Sequence, residues 1–336
     1  MKFGAIDIGS NAVRLLIARV DELEDGRKSV DKLSFYRVPV RLGADVFSDG
    51  AISEDKTRHL VKTMKAFWYL MDVQGVEWFH AYATSAMREA SNVESVIKKV
   101  HKGANIKIEP ISGDHEAELI FGNFAMALMD GANDYLYIDV GGGSTELTLI
   151  REGERIKSKS FQLGTVRHLA GRIPDGEWTA VEEFVTNLQS EKRPLFAIGT
   201  GGNANRLQRL ALTPRDEAIP KTQLKTVADR LSALSVEDRR AKYHLRPDRA
   251  DVIVPAAEIY LRIMDLSGSS HMFVPKVGLV DGMVLDIHQK WKEEKADRAN
   301  KKAKKKKTTT AISVTQAGSC SDIKRINIIK YKFNNN

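Results

Sequence analysis

Tyr135-Leu136-Tyr137-Ile138-Asp139-Val140-Gly141-Gly142-Gly143-Ser144-Thr145-Glu146-Leu147-Thr148-Leu149-Ile150 reads as a buried strand, a glycine turn and a second strand. The first residues of the chain repeat the plan. Phe3-Gly4-Ala5-Ile6-Asp7-Ile8-Gly9-Ser10-Asn11 runs straight into Val13-Arg14-Leu15-Leu16-Ile17-Ala18. In both copies an Asp closes an apolar strand and small residues follow it. Such a turn accepts phosphate oxygens, because glycine lets the main chain approach closely and leaves its N–H groups pointing outward. Two copies predict a duplicated fold with a phosphate chain, or a metal and phosphate together, held between the halves.

Working outward, apolar alternation predicts strands over 2–8, 12–20 and 31–40, then helices alternating with single strands. Ser53-Glu54-Asp55 is a helix start, an N-cap with acids in the first turn, and the helix is expected to reach Met71. The second half begins alike, with strands over 134–140, 144–150 and 154–161. A further strand at Leu195–Ile198 leads to Gly199-Thr200-Gly201-Gly202-Asn203, and the last helix is expected over 278–292. This order predicts two mixed α/β lobes with a cleft between them, one over 1–128 and the other over 129–298. The break is expected near 125–133, at Asp130-Gly131-Ala132-Asn133.

The 336 residues are enough for two domains with cores of their own. Hydrophobic residues make up 42% and charged residues 29%, as in a soluble globular protein. No apolar run approaches the roughly 20 residues that span a bilayer. Asp7 and Arg14 interrupt the first apolar stretch, which suits a strand better than a signal peptide. The single cysteine, Cys320, lies near the C-terminus, so the body is expected to lack disulfides and cysteine metal sites, and a cytoplasmic location follows. The net charge of +8 is concentrated in one place. Of 52 Lys and Arg and 44 Asp and Glu, eleven and one fall in 298–336, which leaves 41 and 43 in the body. The body is therefore no general polyanion binder, and phosphate affinity must come from a local cluster. The segment 299–336, with Lys301-Lys302-Ala303-Lys304-Lys305-Lys306-Lys307, reads as a basic, low-complexity, disordered extension. No membrane and no specific nucleic acid is expected as a partner.

Several residues carry chemistry. Asp7 and Asp139 would face each other across the cleft if the lobes are related by a pseudo-twofold axis. Carboxylates there suit Mg²⁺, which keeps waters and bridges phosphate oxygens. Glu146 could add a third carboxylate if its strand folds back. Gly9, Ser10 and Asn11 in the first loop, with Gly141, Gly142, Gly143, Ser144 and Thr145 in the second, are candidate phosphate contacts. Gly201 and Gly202 open a helix after a strand, a third anion site by geometry. Glu116, in the first turn of a helix from Asp114, fits a general base beside the terminal phosphate, and equally the acidity usual at helix starts. His115 has no histidine partner at metal spacing and reads as a surface or supporting residue. Arg88, Arg14, Arg41, Arg167, Arg206 and Arg249 lie near loops, and an arginine fork matches phosphate oxygens bidentately, so about half of them are expected in the cleft.

These segments, in this order, resemble the exopolyphosphatase / guanosine pentaphosphate phosphohydrolase family, of the sugar kinase, Hsp70 and actin superfold. The matching pieces are Asp7-Ile8-Gly9-Ser10-Asn11 with Arg14, Arg41-Leu42-Gly43, Ala83-Thr84-Ser85-Ala86-Met87-Arg88 with Asn92, and Ile111-Ser112-Gly113 with Glu116-Ala117. They continue with Asp139 through Glu146, Leu163-Gly164-Thr165-Val166-Arg167, Gly199 through Asn203, and Arg249-Ala250-Asp251-Val252-Ile253. The resemblance spans about 1–290 and is to the short, two-domain type. It implies two actin-like (ribonuclease H-like) lobes, with Glu116 as catalytic base, Mg²⁺ and phosphate at the Asp7 and Asp139 loops, and Arg88 on the phosphate chain. It further implies hydrolysis of the terminal phosphoanhydride of inorganic polyphosphate or of guanosine pentaphosphate, by a homodimer. Two positions depart from the family pattern: His115 stands where a glutamate is usual, and Ala12 where a serine is. A kinase of the same superfold and a non-catalytic guanosine tetraphosphate sensor are the alternatives.

Overall fold

Strand β1 (Lys2–Ile8) is buried along nearly its whole length, and it pairs antiparallel with β2 (Val13–Glu22), which pairs antiparallel with β3 (Lys28–Val38). The computed structural model describes residues 1–24, 28–124, 133–188, 195–275 and 278–316. Strands β4 (Trp78–Ala83) and β5 (Ile108–Pro110) then add parallel to β1, giving the order β3-β2-β1-β4-β5. Parallel neighbours need a crossover, and the helix Glu54–Val73 supplies the first. Its N-cap is Ser53, whose side chain accepts from the Lys56 N–H, with Glu54 and Asp55 in the first turn.

The second half repeats this plan. Strands β6 (Asp134–Val140), β7 (Thr145–Arg151) and β8 (Glu154–Phe161) are an antiparallel meander. Strand β9 (Leu195–Thr200) lies parallel to β6, and β11 (His271–Phe273) parallel to β9, with the two-residue β10 (Ile219–Pro220) at the edge. The order is β10-β11-β9-β6-β7-β8. The duplication expected from the two Asp-Gly turns is present: β8-β7-β6-β9-β11 repeats β3-β2-β1-β4-β5, with β10 added at the edge of the second sheet, and the architecture is a pair of mixed α/β lobes.

Each sheet has its own core. In the first, Ile6, Ile8, Val13, Leu15 and Ile17 pack with Leu60, Met64 and Phe67. In the second, Leu136, Ile138, Leu147 and Leu149 pack with Tyr260, Ile263 and Met264. Because side chains alternate across a strand, the residues between these apolar ones share the opposite face. Asp7 and Arg14 fall there in the first sheet, and Asp139 and Glu146 in the second.

Some elements differ from expectation. The helix Leu42–Asp49 follows Arg41, which has a left-handed backbone (φ 56°) and gives no side-chain cap, so the usual start signal is missing. Short helices at Ser85–Glu89, Thr165–Leu169 and Val236–Tyr243 lie outside the expected elements as well. The helix carrying Glu116 is Gly113–Phe124, and most of the lobe break expected over 125–133, with the boundary at 128/129, lies outside the described residues. The last helix runs Leu279–Gln316, past the end expected near Lys292. Lysine and alanine are good helix formers, and the sequence there is rich in both. Residues 317–336 of the basic extension, Cys320 among them, lie outside the described residues. The chain divides into two compact units, Met1–His288, which contains both sheets, and Gln289–Asn336. None of the helices searched among the described residues is long and apolar enough to cross a membrane.

Candidate active site

The two hairpin loops close in the same way. Gly9 N–H donates to the Ala12 carbonyl (3.1 Å) and Gly141 N–H to the Ser144 carbonyl (2.9 Å). They also touch. A Cβ added at Gly142 would lie 2.9 Å from Ser10 Cβ and 3.2 Å from the Asn11 nitrogen, so glycine there lets one loop rest on the other. Asp7 and Asp139 therefore line a single cleft, of about 430 Å³, together with Glu116, Gly9, Ser10, Asn11, Gly141, Gly142, Ser144, Gly201 and Gly202.

Strand register sets the chemistry of each wall. Across the first sheet, Tyr82 of β4, Asp7 of β1, Arg14 of β2 and Arg37 of β3 stand side by side. Across the second, the corresponding row is Thr200 of β9, Asp139 of β6, Glu146 of β7 and Ser160 of β8. In the first row Arg14 donates to Asp7 Oδ2, while Asp7 Oδ1 is buried with no hydrogen-bond partner among the described residues. Burial pulls the Arg14 guanidinium down, but Asp7, and behind it Asp139 and Glu116, outweigh that and hold it above its ordinary value. In the second row no cation neutralises the acids. Burial raises Asp139 against a hydrogen bond from Thr200 and the Arg14 charge. Burial, then the Asp139 charge, push Glu146 up to about 7.

Glu116 enters the cleft from the first turn of its helix, where the Ser112 carbonyl accepts from its N–H (2.9 Å). It is 7% exposed. Burial and then the Glu146 charge raise it well above the ordinary carboxyl value, with Arg88 pulling the other way. Arg88 Nη1 sits 3.2 Å from Glu116 Oε2 and donates to the Ile111 carbonyl (2.7 Å). His115 packs its ring against Tyr82, 5.9 Å between centroids.

Other sequence candidates are placed differently. Gly143 is not among the residues that line the cleft: a Cβ there would lie 2.2 Å from Ser85 Oγ and 2.4 Å from Phe47 Cζ. The Thr145 hydroxyl donates to the Leu163 carbonyl and is fully buried. Both positions are taken up by packing and hydrogen bonding that hold the loop in place. Glu146 is set behind the cleft wall, accepting from Ser160 (2.8 Å) and Ser144. Three of the six arginines line the cleft: Arg14, Arg206 and Arg249. Arg88 is held by Glu116, and Arg41 pairs with Asp251 at 2.7 Å. Arg167 is buried between lobes, bonded to the Gly143 carbonyl (2.7 Å), to Glu89 and over the Phe47 ring.

Two cleft arginines escaped the sequence reading. Arg37 pairs with Asp248 at 2.5 Å, yet its Nε and Nη1 are buried without a hydrogen-bond partner among the described residues. Arg209 joins Arg206 on the helix Gly201–Ala211. The signal for Arg37 was its place opposite Arg14, legible only once the β2–β3 register is known. Room for Arg249 comes from Gly202, where a Cβ would lie 2.5 Å from Arg249 Nη2. Burial, then Arg37, lower Arg249 to about 10.

Among the described residues no three His, Cys, Asp or Glu side chains converge into a metal cage, so Asp7, Asp139 and Glu146 do not form the expected three-carboxylate set. Asp7 and Asp139 alone still fit Mg²⁺. Their oxygens are hard donors, Asp7 Oδ1 is unpartnered, and this ion commonly takes only one or two carboxylates and fills its remaining positions with water and phosphate oxygens.

The comparisons with known proteins agree with this geometry. A bifunctional 3-dehydroquinate synthase/phosphatase of Fusobacterium nucleatum is 29% identical over 310 residues, covering 84% of this chain, which spans about half of that protein (46%). Exopolyphosphatase 1 of Mycobacterium tuberculosis is 28% identical over 306 residues, 85% of this chain and 88% of that one. A guanosine-5'-triphosphate,3'-diphosphate pyrophosphatase of Vibrio cholerae is 28% identical over 313 residues, 87% of this chain and 60% of its own length. In fold, the chain is similar to the crystal structure of an exopolyphosphatase from Cytophaga hutchinsonii, with a TM-score of 0.71 at 24% identity, over 84% of this chain and 96% of that one. The model of the Ppx/GppA phosphatase family matches residues 16–291, and this chain belongs to that family.

Proposed function

We propose that the chain is a Mg²⁺-dependent hydrolase that removes the terminal phosphate of inorganic polyphosphate. The observation that carries this reading is the meeting, in one cleft, of Glu116, the Asp7 and Asp139 carboxylates and a group of arginines, Arg14, Arg37, Arg206, Arg209 and Arg249. Asp7 and Asp139 would hold Mg²⁺, whose charge would neutralise phosphate oxygens when bound. The Gly9–Asn11 and Gly141–Ser144 loops offer backbone amides to the phosphate chain, and Arg14, Arg37 and Arg249 offer guanidinium groups. Glu116 takes a proton from a water as its oxygen bonds to the terminal phosphorus. The bond to the bridging oxygen breaks, and the shortened chain leaves with the negative charge that the cations stabilise. A base needs a proton affinity near the working pH, and burial moves Glu116 in that direction.

One observation favours a second substrate of the same chemistry. Leu16, Phe35, Leu279 and Val280 also line the cleft, and Phe35 is 55% exposed. Inorganic polyphosphate has no use for an apolar wall, whereas the base of guanosine pentaphosphate could stack there. Assay of the two substrates side by side separates them.

Glu116→Gln keeps the shape and removes the base. Phosphate release is expected to fall about 10²–10⁴-fold, with calorimetry showing substrate binding retained. Turnover near that of the unsubstituted chain would remove Glu116 from the role.

A further inference from the structure

We propose that Thr200 and Ser160 are positioning residues that clamp the Asp139–Glu146 carboxylate pair from its two ends. The inference rests on the hydrolase reading of the same cleft. The four residues are neighbours in register across β9, β6, β7 and β8, so they share one face of the sheet. Thr200 stands beside Asp139 in register, with its hydroxyl on the face of the sheet that carries Asp139, and the Ser160 hydroxyl donates to Glu146 Oε1 (2.8 Å). Hydroxyl, carboxylate, carboxylate, hydroxyl is the order of the row.

Thr200 would ordinarily have another task. It is the N-cap of the helix Gly201–Ala211, a place where threonine usually accepts from a backbone N–H of the first turn. Here its side chain makes no cap bond, and its hydroxyl faces the sheet. Tyr137, two residues before Asp139 on the same face, brings its hydroxyl to 2.6 Å from Thr200 Oγ1. In the proposed clamp the single Thr200 proton goes to an ionised Asp139, which can only accept. Tyr137 must then donate to Thr200, and the chain of bonds has one direction. The Tyr260 hydroxyl donates to the Thr200 carbonyl (2.6 Å) and fixes the end of the strand. Next to it, a Cβ on Gly201 would lie 3.2 Å from Asp139 Oδ1, and its backbone is left-handed (φ 87°), so glycine keeps that side of the carboxylate clear.

Ser160 connects the row to the base. A Cβ on Gly113 would lie 2.4 Å from Ser160 Cβ, so the helix that carries Glu116 rests directly on this serine. One end of the row thus fixes Asp139 and the other fixes the platform of Glu116. Carboxylates side by side in one row need such donors to stay in one orientation.

The test uses the full chain with Thr200→Val, Thr200→Ser, Ser160→Ala and Tyr137→Phe, assayed for phosphate release from polyphosphate and from guanosine pentaphosphate. Thr200→Val should lower kcat about 10–100-fold with KM within about twofold, because the loss is one of orientation and not of ligand contact. Thr200→Ser should return kcat to within about threefold, while Tyr137→Phe and Ser160→Ala each lower it roughly 3–10-fold. Crystal structures of the unsubstituted chain and of Thr200→Val should show the Asp139 side chain rotated in the variant only. Unchanged kcat in Thr200→Val, a serine variant no better than the valine one, or an unmoved Asp139 would each overturn the proposal. If the unsubstituted chain releases no phosphate from either substrate, the hydrolase reading fails by itself, and the Asp139 orientation still decides this one.

Discussion

The two central rows of this molecule occupy the same place in two copies of one sheet, yet they carry opposite chemistry. Tyr82, Asp7, Arg14 and Arg37 are a row with two cations and one acid; Thr200, Asp139, Glu146 and Ser160 are a row with two acids and no cation. The Asp at the end of the first strand is common to both. Its neighbour on the second strand is arginine in one copy and glutamate in the other. Duplication thus supplied one scaffold twice, and a change of side chain at matching positions divided the work. In the proposed reaction the first wall would neutralise the phosphate chain, and the second would place the Asp139 carboxylate at the reacting end.

If the first row depends on its cation, Arg14→Met should have the largest effect on stability. Asp7 is 1% exposed and would lose its ion-pair partner. A loss of roughly 3–4 kcal/mol in denaturant unfolding at pH 7 is expected, toward the lower end for a broken buried pair because Arg14 is 32% exposed. A loss below about 1 kcal/mol, as for a surface pair, would show that the row does not need it.

The second row should respond in the opposite sense. Glu146 binds its proton more tightly folded than unfolded, with its value raised from 4.5 to about 7. Stability is therefore unpenalised below about pH 4.5 and falls as pH rises toward 7. Glu146→Gln, which can still accept from Ser160, should stabilise the chain by up to about 3 kcal/mol at pH 8 and by nothing near pH 4. Melting curves of both proteins across that range check it, and equal curves at pH 8 would contradict the picture of an uncompensated acid.

The contact between rows can be probed at Gly142. A methyl there would press on Ser10 Cβ and the Asn11 nitrogen, and part of that contact is backbone, which yields poorly. Gly142→Ala should cost about 1–2 kcal/mol and raise KM more than it lowers kcat, since it parts the two phosphate loops.

The smallest effect expected is on the pH–rate profile. Glu116 must be ionised to act as a base, so kcat/KM should rise with pH through its elevated value. Glu146 is the strongest charged neighbour raising it, after burial. Glu146→Gln should therefore move the acid limb to lower pH. A limb that stays in place would uncouple the second row from the base.

Much of this site was legible in the chain. Asp7 and Asp139 close apolar strands and precede glycine, a pattern whose alternation fixes both the strand and the face. Gly9, Ser10, Asn11, Gly141, Gly142 and Gly201 were named from loop chemistry, and all line the cleft. Glu116 was found only as one of two readings of a helix start, because an acid in a first turn looks the same whether it serves the dipole or a water. Gly143 and Thr145 belong to the same motif as Gly142 and Ser144, and sequence has no means to tell which members of a turn face out. Arg88 and Arg167 read as phosphate ligands, but each is held by an acid, Glu116 and Glu89, more than 25 positions away in the chain. Arg37 and Ser160 had no local signature at all, and Thr200 was visible only as a member of the loop from Gly199 to Asn203.

The sequence by itself determined the duplication, since period-two apolar runs closed by Asp and glycine are local properties that no partner needs to supply. It determined, too, that the body has almost no net charge and that phosphate must be held by a cluster. Tertiary structure decided which side chains make that cluster. Strand register placed Arg14 and Arg37 beside one Asp and Glu146 and Ser160 beside the other, and burial raised the acids. Both are sums over neighbours that come together only when the chain has folded.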